Sequence, residues 1–286
     1  MYQEYYGLRE EPFKITPDPR YLFLTRQHQE ALNHLLYGIQ HRKGFMCLTG
    51  EVGAGKTTLC RRMLESLADD THTALVLNPM LTEAQLMRAI CQEFDLGKKR
   101  RDTLGYINLL NEFLLETNLE NRNAVVIIDE AQDMPDKTLE MCRLLSNLET
   151  NSHKLLQIVL VGQPELREKL DKPKFRQLSQ RITVRFHLGK MNRAETADYL
   201  AHRLHVASNQ LEIVRAEGEE APEEDPKEKL HFDRGAVKEI FRFSHGTPRL
   251  VNAIGDKALL AGFVYRQKRI NKALVKRAIR ELKEAG

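Results

Sequence analysis

An α/β fold built on a parallel β-sheet is predicted by three features of this sequence. Over the first two thirds of the chain, short runs rich in β-branched residues alternate with longer amphipathic segments, as in a sheet covered by helices. Strand patterns stop after Leu188, and only helical patterns follow. The chain has 286 residues, 42% of them hydrophobic, which suffices for one large domain and one small domain.

The larger domain is predicted to cover residues 1–190. Its strands are expected at 44–50, 73–78, 124–129, 155–162 and 181–188. Apolar residues at three-to-four spacing predict helices between these strands, at 56–68, 82–94, 103–117 and 136–148.

The remaining residues, 191–286, are predicted to form a small all-helical domain. Its helices are expected at 193–207, 234–244, 248–265 and 272–284. Asn192 and Glu195 have the spacing of a capping box, and Asp233 and Asn271 are placed as N-caps of later helices.

Charge is distributed unevenly along the chain. The net charge is +4, but the run EGEEAPEEDPKE at 217–228 has a balance of −6, so the rest of the chain is about +10. This acidic run contains proline and almost no apolar residues, which predicts a surface loop at about 215–229. The basic stretch KRAIRELK could contact nucleic acid, acidic lipid or an acidic partner, or form a solvated helix face.

Neither a targeting segment nor a membrane-spanning segment is predicted. The first residues, MYQEYYGLREEPF, lack the basic start and apolar core of a secretory signal. The longest apolar runs, 124–128 and 258–265, are much shorter than the roughly 20 residues that cross a bilayer. The four cysteines form no C-x-x-C pair, so neither a zinc site nor a disulfide framework is indicated. We expect a cytoplasmic chain.

The segment GEVGAGKT contains a complete G-x-x-x-x-G-K-[ST] phosphate-binding motif. Its nucleotide-binding residues, with the threonine that follows, are Gly50, Glu51, Val52, Gly53, Ala54, Gly55, Lys56, Thr57 and Thr58. A predicted strand precedes the motif and a predicted helix follows, which is the context it requires. Glycines allow successive N–H groups to turn inward around phosphate oxygens. Lys56 is expected to contact the β- and γ-phosphates, and Thr57 is expected to bind Mg²⁺.

Two carboxylates follow a buried strand in the segment VVIIDEAQ. Asp129 is suited to the Mg²⁺ shell, and Glu130 is suited to polarising an attacking water. The pair favours hydrolysis over phosphoryl transfer to a small molecule. No [NT]-K-x-D motif for guanine recognition occurs, so ATP is favoured over GTP. The sequence therefore predicts an ATPase with ATP and Mg²⁺ as its ligands.

The chain resembles an AAA+ ATPase in the order of its motifs. After the phosphate loop and IIDEAQ come IVLVGQPELREKL, LSQRI and GTPRLVN. The N-terminal YYGLREEPFKITPDPRYLF, together with LTGEVGAGKTTLCR and LVGQPEL, is similar to the ATPase domain of the ExeA (general secretion pathway protein A) and MshM group. This resemblance implies an ATPase core, a helical lid domain, and nucleotide bound between subunits of a homo-oligomer.

Further site residues are implied by the resemblance alone. Gln163, which follows the fourth strand, takes the place of a γ-phosphate sensor, where asparagine or threonine is more usual. Arg181 fits an arginine supplied to a neighbouring subunit's nucleotide, and Arg176 is the alternative. Arg249 matches a second sensor on a lid helix. Each of the four residues also has an ordinary interpretation. Gln163 could begin the turn before Pro164. Arg181 and Arg176 could be surface arginines, and Arg249 could be a salt-bridged arginine at the start of a helix.

Two weaker interpretations concern the surroundings of the nucleotide. In related ATPases the N-terminal segment lies over the adenine, so Phe13, Tyr21 and Phe23 would form an apolar wall, or else simply pack in a core. Asn78, at the end of the second predicted strand, could restrain Glu130 until a partner binds.

Three functions are consistent with these features. The first is an ATP-driven assembly switch for a secretion or pilus machine, located in the cytoplasm or held at the inner membrane by a partner. The second is a DNA-bound regulator of the transposition (TnsC-like) or replication-initiator type, in which KKRR at 98–101 contacts phosphates. The third is a nucleotide-binding interaction module with negligible turnover. Larger ExeA-type proteins also have a membrane span and a peptidoglycan-binding region, so we expect no cell-wall binding by this chain. No pore loop is evident at 79–120.

Overall fold

The computed structural model describes residues 2–14, 18–67, 70–97, 100–150, 153–208 and 229–284. The predicted acidic loop at 215–229 lies outside the described residues apart from Lys229, and so do Lys98 and Lys99 of the KKRR run. The chain divides into two compact units. The first unit comprises Met1–Thr25, Val52–Gly55 and Lys190–Gly286, and the second comprises Arg26–Glu51 and Lys56–Gly189.

The predicted helices and strands occur in the predicted order, but the 15-residue helix Arg26–Gln40 and several short elements were not predicted. The strands are β1 (Phe45–Gly50), β2 (Thr71–Val76), β3 (Asn123–Ile128), β4 (Gln157–Gly162), β5 (Ile182–Leu188), β6 (His231–Phe232) and β7 (Arg269–Ile270). The α-helices are α1 (Tyr2–Tyr6), α2 (Arg26–Gln40), α3 (Lys56–Ser66), α4 (Glu83–Glu93), α5 (Thr103–Leu119), α6 (Asp136–Leu145), α7 (Pro164–Leu170), α8 (Arg176–Arg181), α9 (Arg193–Ser208), α10 (Arg234–Ser244), α11 (Pro248–Val264) and α12 (Lys272–Glu284). Single 3₁₀ turns lie at Pro19–Tyr21, Ala131–Asp133 and Pro173–Phe175.

A five-stranded parallel sheet forms the second unit's centre, in the order β2-β3-β4-β1-β5. All residues of β1 and β4 are buried, and in β3 only Asn123 is not, as expected for strands covered by helices on both faces. The predicted α/β class and parallel sheet are confirmed. The second strand begins and ends two residues earlier than predicted, because β2 pairs with β3 from Thr71 to Val76.

The topology brings three loops to one edge of this sheet. Thr49 of β1 pairs with Gly162 of β4, and Ile128 of β3 pairs with Leu160 of β4. The carboxyl ends of the three strands therefore point in the same direction at similar height. Open α/β sheets bind ligands at this edge.

The first unit is mostly helical, and its predicted helix caps are confirmed. Asn192 N–H donates to Glu195 at 2.7 Å, and Glu195 N–H donates to the Asn192 side chain at 2.9 Å. The side chain of Asp233 accepts from Ala236 N–H at 2.8 Å. The prediction of an exclusively helical region was wrong in one respect, because β6 and β7 form a small parallel ladder. Two-residue strands are too short to show a period of two in the sequence.

The N-terminal segment belongs to the first unit by its contacts. Phe13 is buried against α11, where a Cβ at Gly255 would lie 2.8 Å from the Phe13 ring. The buried Arg203 of α9 donates to the carbonyls of Pro12 and Lys14, and its guanidinium lies 4.3 Å from the Tyr21 ring centroid. Phe13 and Tyr21 are thus core residues of this unit, and their role at an adenine stays a prediction. The predicted boundary near residue 190 likewise stays a prediction.

A helix that crosses a membrane must be both long and apolar. Within the described ranges, no helix combines the length and apolar character that crossing a bilayer requires.

Candidate nucleotide site

The phosphate loop connects the end of β1 to the start of α3. Gly53 and Gly55 have φ of +76° and +88°, which L-residues with a side chain rarely adopt. A Cβ at Gly53 would also lie 2.6 Å from Cβ of Arg249, within the first unit. Gly53 is therefore required both by its backbone conformation and by the close approach of α11. Glu51, Val52 and Ala54 complete the loop between the glycines.

Lys56 is the first residue of α3 and is only 5% exposed. Its Nζ donates to the carbonyls of Gly50 at 2.8 Å and Glu51 at 3.0 Å. Burial lowers the pKa of the Lys56 amine from its ordinary value, while the carboxylates of Glu130 and Asp129 oppose that shift. Together with the unpaired N–H groups of the first turn of α3, which includes Thr58, this amine suits an anionic ligand.

Thr57 and Asp129, the residues predicted to bind Mg²⁺, are brought into direct contact. The Thr57 hydroxyl donates to Oδ2 of Asp129 at 2.6 Å, and Oδ1 of Asp129 accepts from Glu130 N–H at 2.9 Å. Asp129 is 3% exposed. A hydroxyl and a carboxylate are oxygen ligands of the kind that Mg²⁺ prefers, usually with waters and substrate phosphates completing the shell. Both residues therefore fit the expected ion.

Glu130 adopts a left-handed backbone conformation, with φ 51° and ψ 37°. For a residue with a side chain this conformation costs roughly 1–2 kcal/mol. It turns the chain from β3 directly into the 3₁₀ turn at Ala131–Asp133. Backbone strain of this kind clusters at functional sites.

The Glu130 carboxylate is held by two glutamines. Oε2 of Glu130 accepts from Nε2 of Gln132 at 2.8 Å and from Nε2 of Gln163 at 3.3 Å. Among the described residues Asn78 contributes neither bond to Glu130, and its side-chain oxygen accepts from Met80 N–H. The suggested restraint of Glu130 by Asn78 was therefore wrong, and the two glutamines provide the restraint seen here.

Gln132 was not identified from the sequence. Besides contacting Glu130, its Oε1 accepts from the backbone N–H of Gln163 at 3.0 Å. A Cβ at Gly162 would lie 2.7 Å from the same Oε1, so the glycine leaves room for this bridge. Gln132 thus connects the end of β3 to the start of α7.

The three arginines differ in their surroundings. Arg181 is half-buried, and its guanidinium donates to Ser146 and, at 2.7 Å, to Asn147. Arg176 and Arg249 are exposed, and neither has an ion pair or hydrogen bond with another described side chain. Among the residues that the structure describes, Arg249 therefore has no helix-start salt bridge.

The segment that contains most of this site matches a known family of domains. Residues 39–170 match the family model described as an AAA domain. This segment includes the phosphate loop, Asp129, Glu130 and Gln163. This part of the chain is therefore similar to AAA domains.

One similar protein is named as a general secretion pathway protein. The chain is 43% identical over 264 residues to general secretion pathway protein A of Aeromonas hydrophila, a match that covers 92% of this chain and 45% of that protein. The chain thus spans less than half the length of this relative. The resemblance read from the sequence is confirmed.

Solved structures confirm the AAA+ fold. The ORC2 protein of Aeropyrum pernix has a TM-score of 0.62 at 17% identity, over 95% of this chain and 71% of that chain. A Drosophila ORC structure bound to DNA has a TM-score of 0.66 at 18% identity, over 95% and 64%. The RuvB branch migration motor of Thermotoga maritima has a TM-score of 0.55 at 17% identity, over 89% and 69%. At such identities the likeness concerns the fold alone.

Proposed function

We propose that this chain binds and hydrolyses ATP with Mg²⁺, and that the ATP cycle controls assembly of a homo-oligomer in a secretion or pilus machine. The observation that supports hydrolysis best is the cluster of Thr57, Asp129 and Glu130. These side chains lie at the carboxyl edge of β1 and β3, where the buried Lys56 also begins α3.

In this proposal the loop and Lys56 hold the phosphates. Lys56 exchanges its bonds to the Gly50 and Glu51 carbonyls for phosphate oxygens, which compensate a buried cation more fully than two neutral acceptors do. Thr57 and Asp129, which contact each other here, would hold Mg²⁺ as oxygen ligands. Mg²⁺, when bound, offsets the negative charge of the β- and γ-phosphates.

Glu130 is proposed to act as the general base. Because Gln132 and Gln163 both donate to Oε2, Oε1 is available to accept a hydrogen bond, and then a proton, from a water. Gln163 touches Glu130 directly, so a shift of its amide towards a γ-phosphate would release one restraint on the base. This gives the proposed sensor a means of coupling phosphate state to base orientation.

The proposed switch requires a charge supplied by a neighbouring subunit. Arg181 is the favoured residue, with Arg176 as the alternative, since such an arginine stabilises the transferring phosphate only after assembly. Arg181 would have to exchange Ser146 and Asn147 for the neighbour's nucleotide. Arg249 would report on the phosphates in the same chain, where α11 approaches Gly53.

We propose a secretion or pilus machine because the similar protein is named general secretion pathway protein A. Secretion or pilus proteins are accordingly the proposed partners, and the cytoplasm, where ATP is available, is the proposed location. The competing DNA-regulator function is kept as an outcome of the test, because the ORC structures share only the fold.

Steady-state ATP turnover tests this proposal. Turnover is measured with and without duplex DNA, at low and high salt, with the Lys56→Ala variant as the blank. We expect Mg²⁺-dependent turnover that rises with protein concentration and is indifferent to DNA. Stimulation by DNA that weakens with salt would favour the regulator instead. Turnover equal to that of the Lys56→Ala blank would refute the ATPase.

A further inference from the structure

An exposed surface in the first unit combines apolar and basic side chains at the turn between α11 and α12. We call it the turn surface; it consists of Leu260, Val264, Tyr265, Arg266, Lys268, Arg269, Lys272, Lys276, Arg277 and Arg280. All six residues from 264 to 269 are exposed. None of its members belongs to the proposed nucleotide site.

The apolar part of the turn surface is formed by the end of α11. Leu260 and Val264 are one helical turn apart and are 46% and 65% exposed, and Tyr265, which ends the helix, is 51% exposed. Single exposed apolar residues are common on protein surfaces, but here three of them adjoin one another.

The basic part is contiguous with the apolar part. Arg277 of α12 donates to the Tyr265 hydroxyl, and its guanidinium lies 5.2 Å from the Tyr265 ring centroid. This contact joins the middle of α12, with Lys276 and Arg280, to the apolar end of α11. The two kinds of side chain therefore form one surface.

The positive charge of this surface is only partly neutralised. Arg269 pairs with Asp233 at 3.2 Å, Lys272 with Glu239 at 3.5 Å, and Arg277 with Glu281 at 3.2 Å. The other four basic side chains have no ion pair within the described part of the chain: Arg266, Lys268, Lys276 and Arg280. An excess of about four positive charges thus surrounds the apolar residues.

We propose that the turn surface binds the surface of a bilayer rich in anionic lipid. Anionic headgroups attract each nearby lysine or arginine, about fivefold in affinity per residue. Tyrosine and aliphatic side chains can enter the boundary between headgroups and acyl chains. Duplex DNA would satisfy the charges but would leave Leu260 and Val264 in water, so the composition favours a membrane. The chain would then reach a membrane directly, without a partner.

Tryptophan fluorescence tests the insertion step. The chain contains no tryptophan, so Tyr265→Trp introduces a single reporter. Its emission should shift to shorter wavelength with vesicles of phosphatidylglycerol and phosphatidylcholine, and should not shift with phosphatidylcholine alone. Tyr37→Trp is the matched control, because Tyr37 is 53% exposed but lies in the second unit. Absence of a shift at position 265, or equal shifts at both positions, would refute the proposal.

Vesicle co-sedimentation tests the charges. Lys268→Gln combined with Lys276→Gln should weaken binding to the phosphatidylglycerol vesicles roughly 25-fold, at about fivefold per lysine. Arg88→Gln combined with Lys137→Gln, which are exposed in the second unit, should leave binding unchanged. Unfolding temperature and basal ATP turnover should be unaffected in both double variants. An equal loss of vesicle binding in the two double variants would overturn the assignment of this surface.

A duplex DNA titration distinguishes the competing partner. Val264→Ser should weaken vesicle binding several-fold, because it removes an inserting side chain. If instead the native chain binds duplex DNA but not the phosphatidylglycerol vesicles, and Val264→Ser changes nothing, the turn surface is a nucleic-acid site and the proposal is wrong.

Discussion

The bridge made by Gln132 gives the sharpest prediction about catalysis. Two variants separate its two contacts. Gln132→Ala removes both the donor to Glu130 and the acceptor for Gln163 N–H. Gln132→Glu keeps an acceptor for Gln163 N–H but replaces the donor with a second carboxylate beside Glu130.

The expected magnitude follows from the contacts. A hydrogen bond to a charged group contributes about 1.5–3 kcal/mol, and Gln132 makes the shorter of the two bonds to the Glu130 carboxylate, 2.8 Å against 3.3 Å from Gln163. If half of that energy, about 0.75–1.5 kcal/mol, serves to orient the base, turnover falls about 4- to 13-fold, since 1.36 kcal/mol corresponds to a factor of ten. Gln132→Glu should lose at least as much, because repulsion adds to the lost donor.

Steady-state turnover and calorimetric ATP binding measure the two effects separately. We expect kcat to fall in both variants while ATP affinity stays near that of the native chain, because Lys56 and the loop are untouched. Gln92→Ala, an exposed glutamine on α4, is the matched control. A native kcat in Gln132→Glu would refute the idea that the glutamine orients Glu130.

Three further predictions concern the phosphate site and its assembly. Burial lowers the pKa of Lys56 below 10.5, so the amine loses its charge at a lower pH than an exposed lysine does. As pH is raised, ATP affinity measured by calorimetry should therefore begin to fall below pH 10.5, and a fall that begins only above pH 10.5 would contradict this. Thr57→Val should raise the Mg²⁺ concentration needed for half-maximal turnover about tenfold, with metal-free ATP binding unchanged; an unaltered Mg²⁺ requirement would exclude the hydroxyl as a ligand. Arg181→Ala and Glu130→Gln chains should each be inactive but partly active when mixed, and no recovery at any ratio would count against Arg181 acting across an interface.

The long elements of the fold could be predicted from the sequence because their signals are local. The apolar strands and the phosphate motif each lie within a few residues, and the capping residues mark where helices begin. Helix α2 also has a clear pattern, with Leu32, Leu35 and Ile39 buried at three-to-four spacing, and could have been predicted. The short helices α7 and α8 contain too few residues for such a pattern.

The hydrogen bonds from Gln132 and Gln163 to Glu130 could not be predicted in the same way. Glu130 and Gln132 are two residues apart, and side chains at that spacing do not face each other on a regular helix. The left-handed conformation of Glu130 and the following 3₁₀ turn bring the two side chains together. Gln163 reaches them only because β3 and β4 are adjacent in the sheet. The site therefore depends on backbone geometry that residue spacing alone does not encode.

The most direct test of an ATP-hydrolysing site compares binding and turnover in Glu130→Gln. Calorimetry and steady-state turnover are measured on the native chain, Glu130→Gln and Lys56→Ala under the same Mg²⁺ concentration. We predict that Glu130→Gln binds ATP like the native chain and hydrolyses it at least a hundredfold more slowly, while Lys56→Ala loses tight binding. Native turnover in Glu130→Gln, or native affinity in Lys56→Ala, would contradict the proposed site.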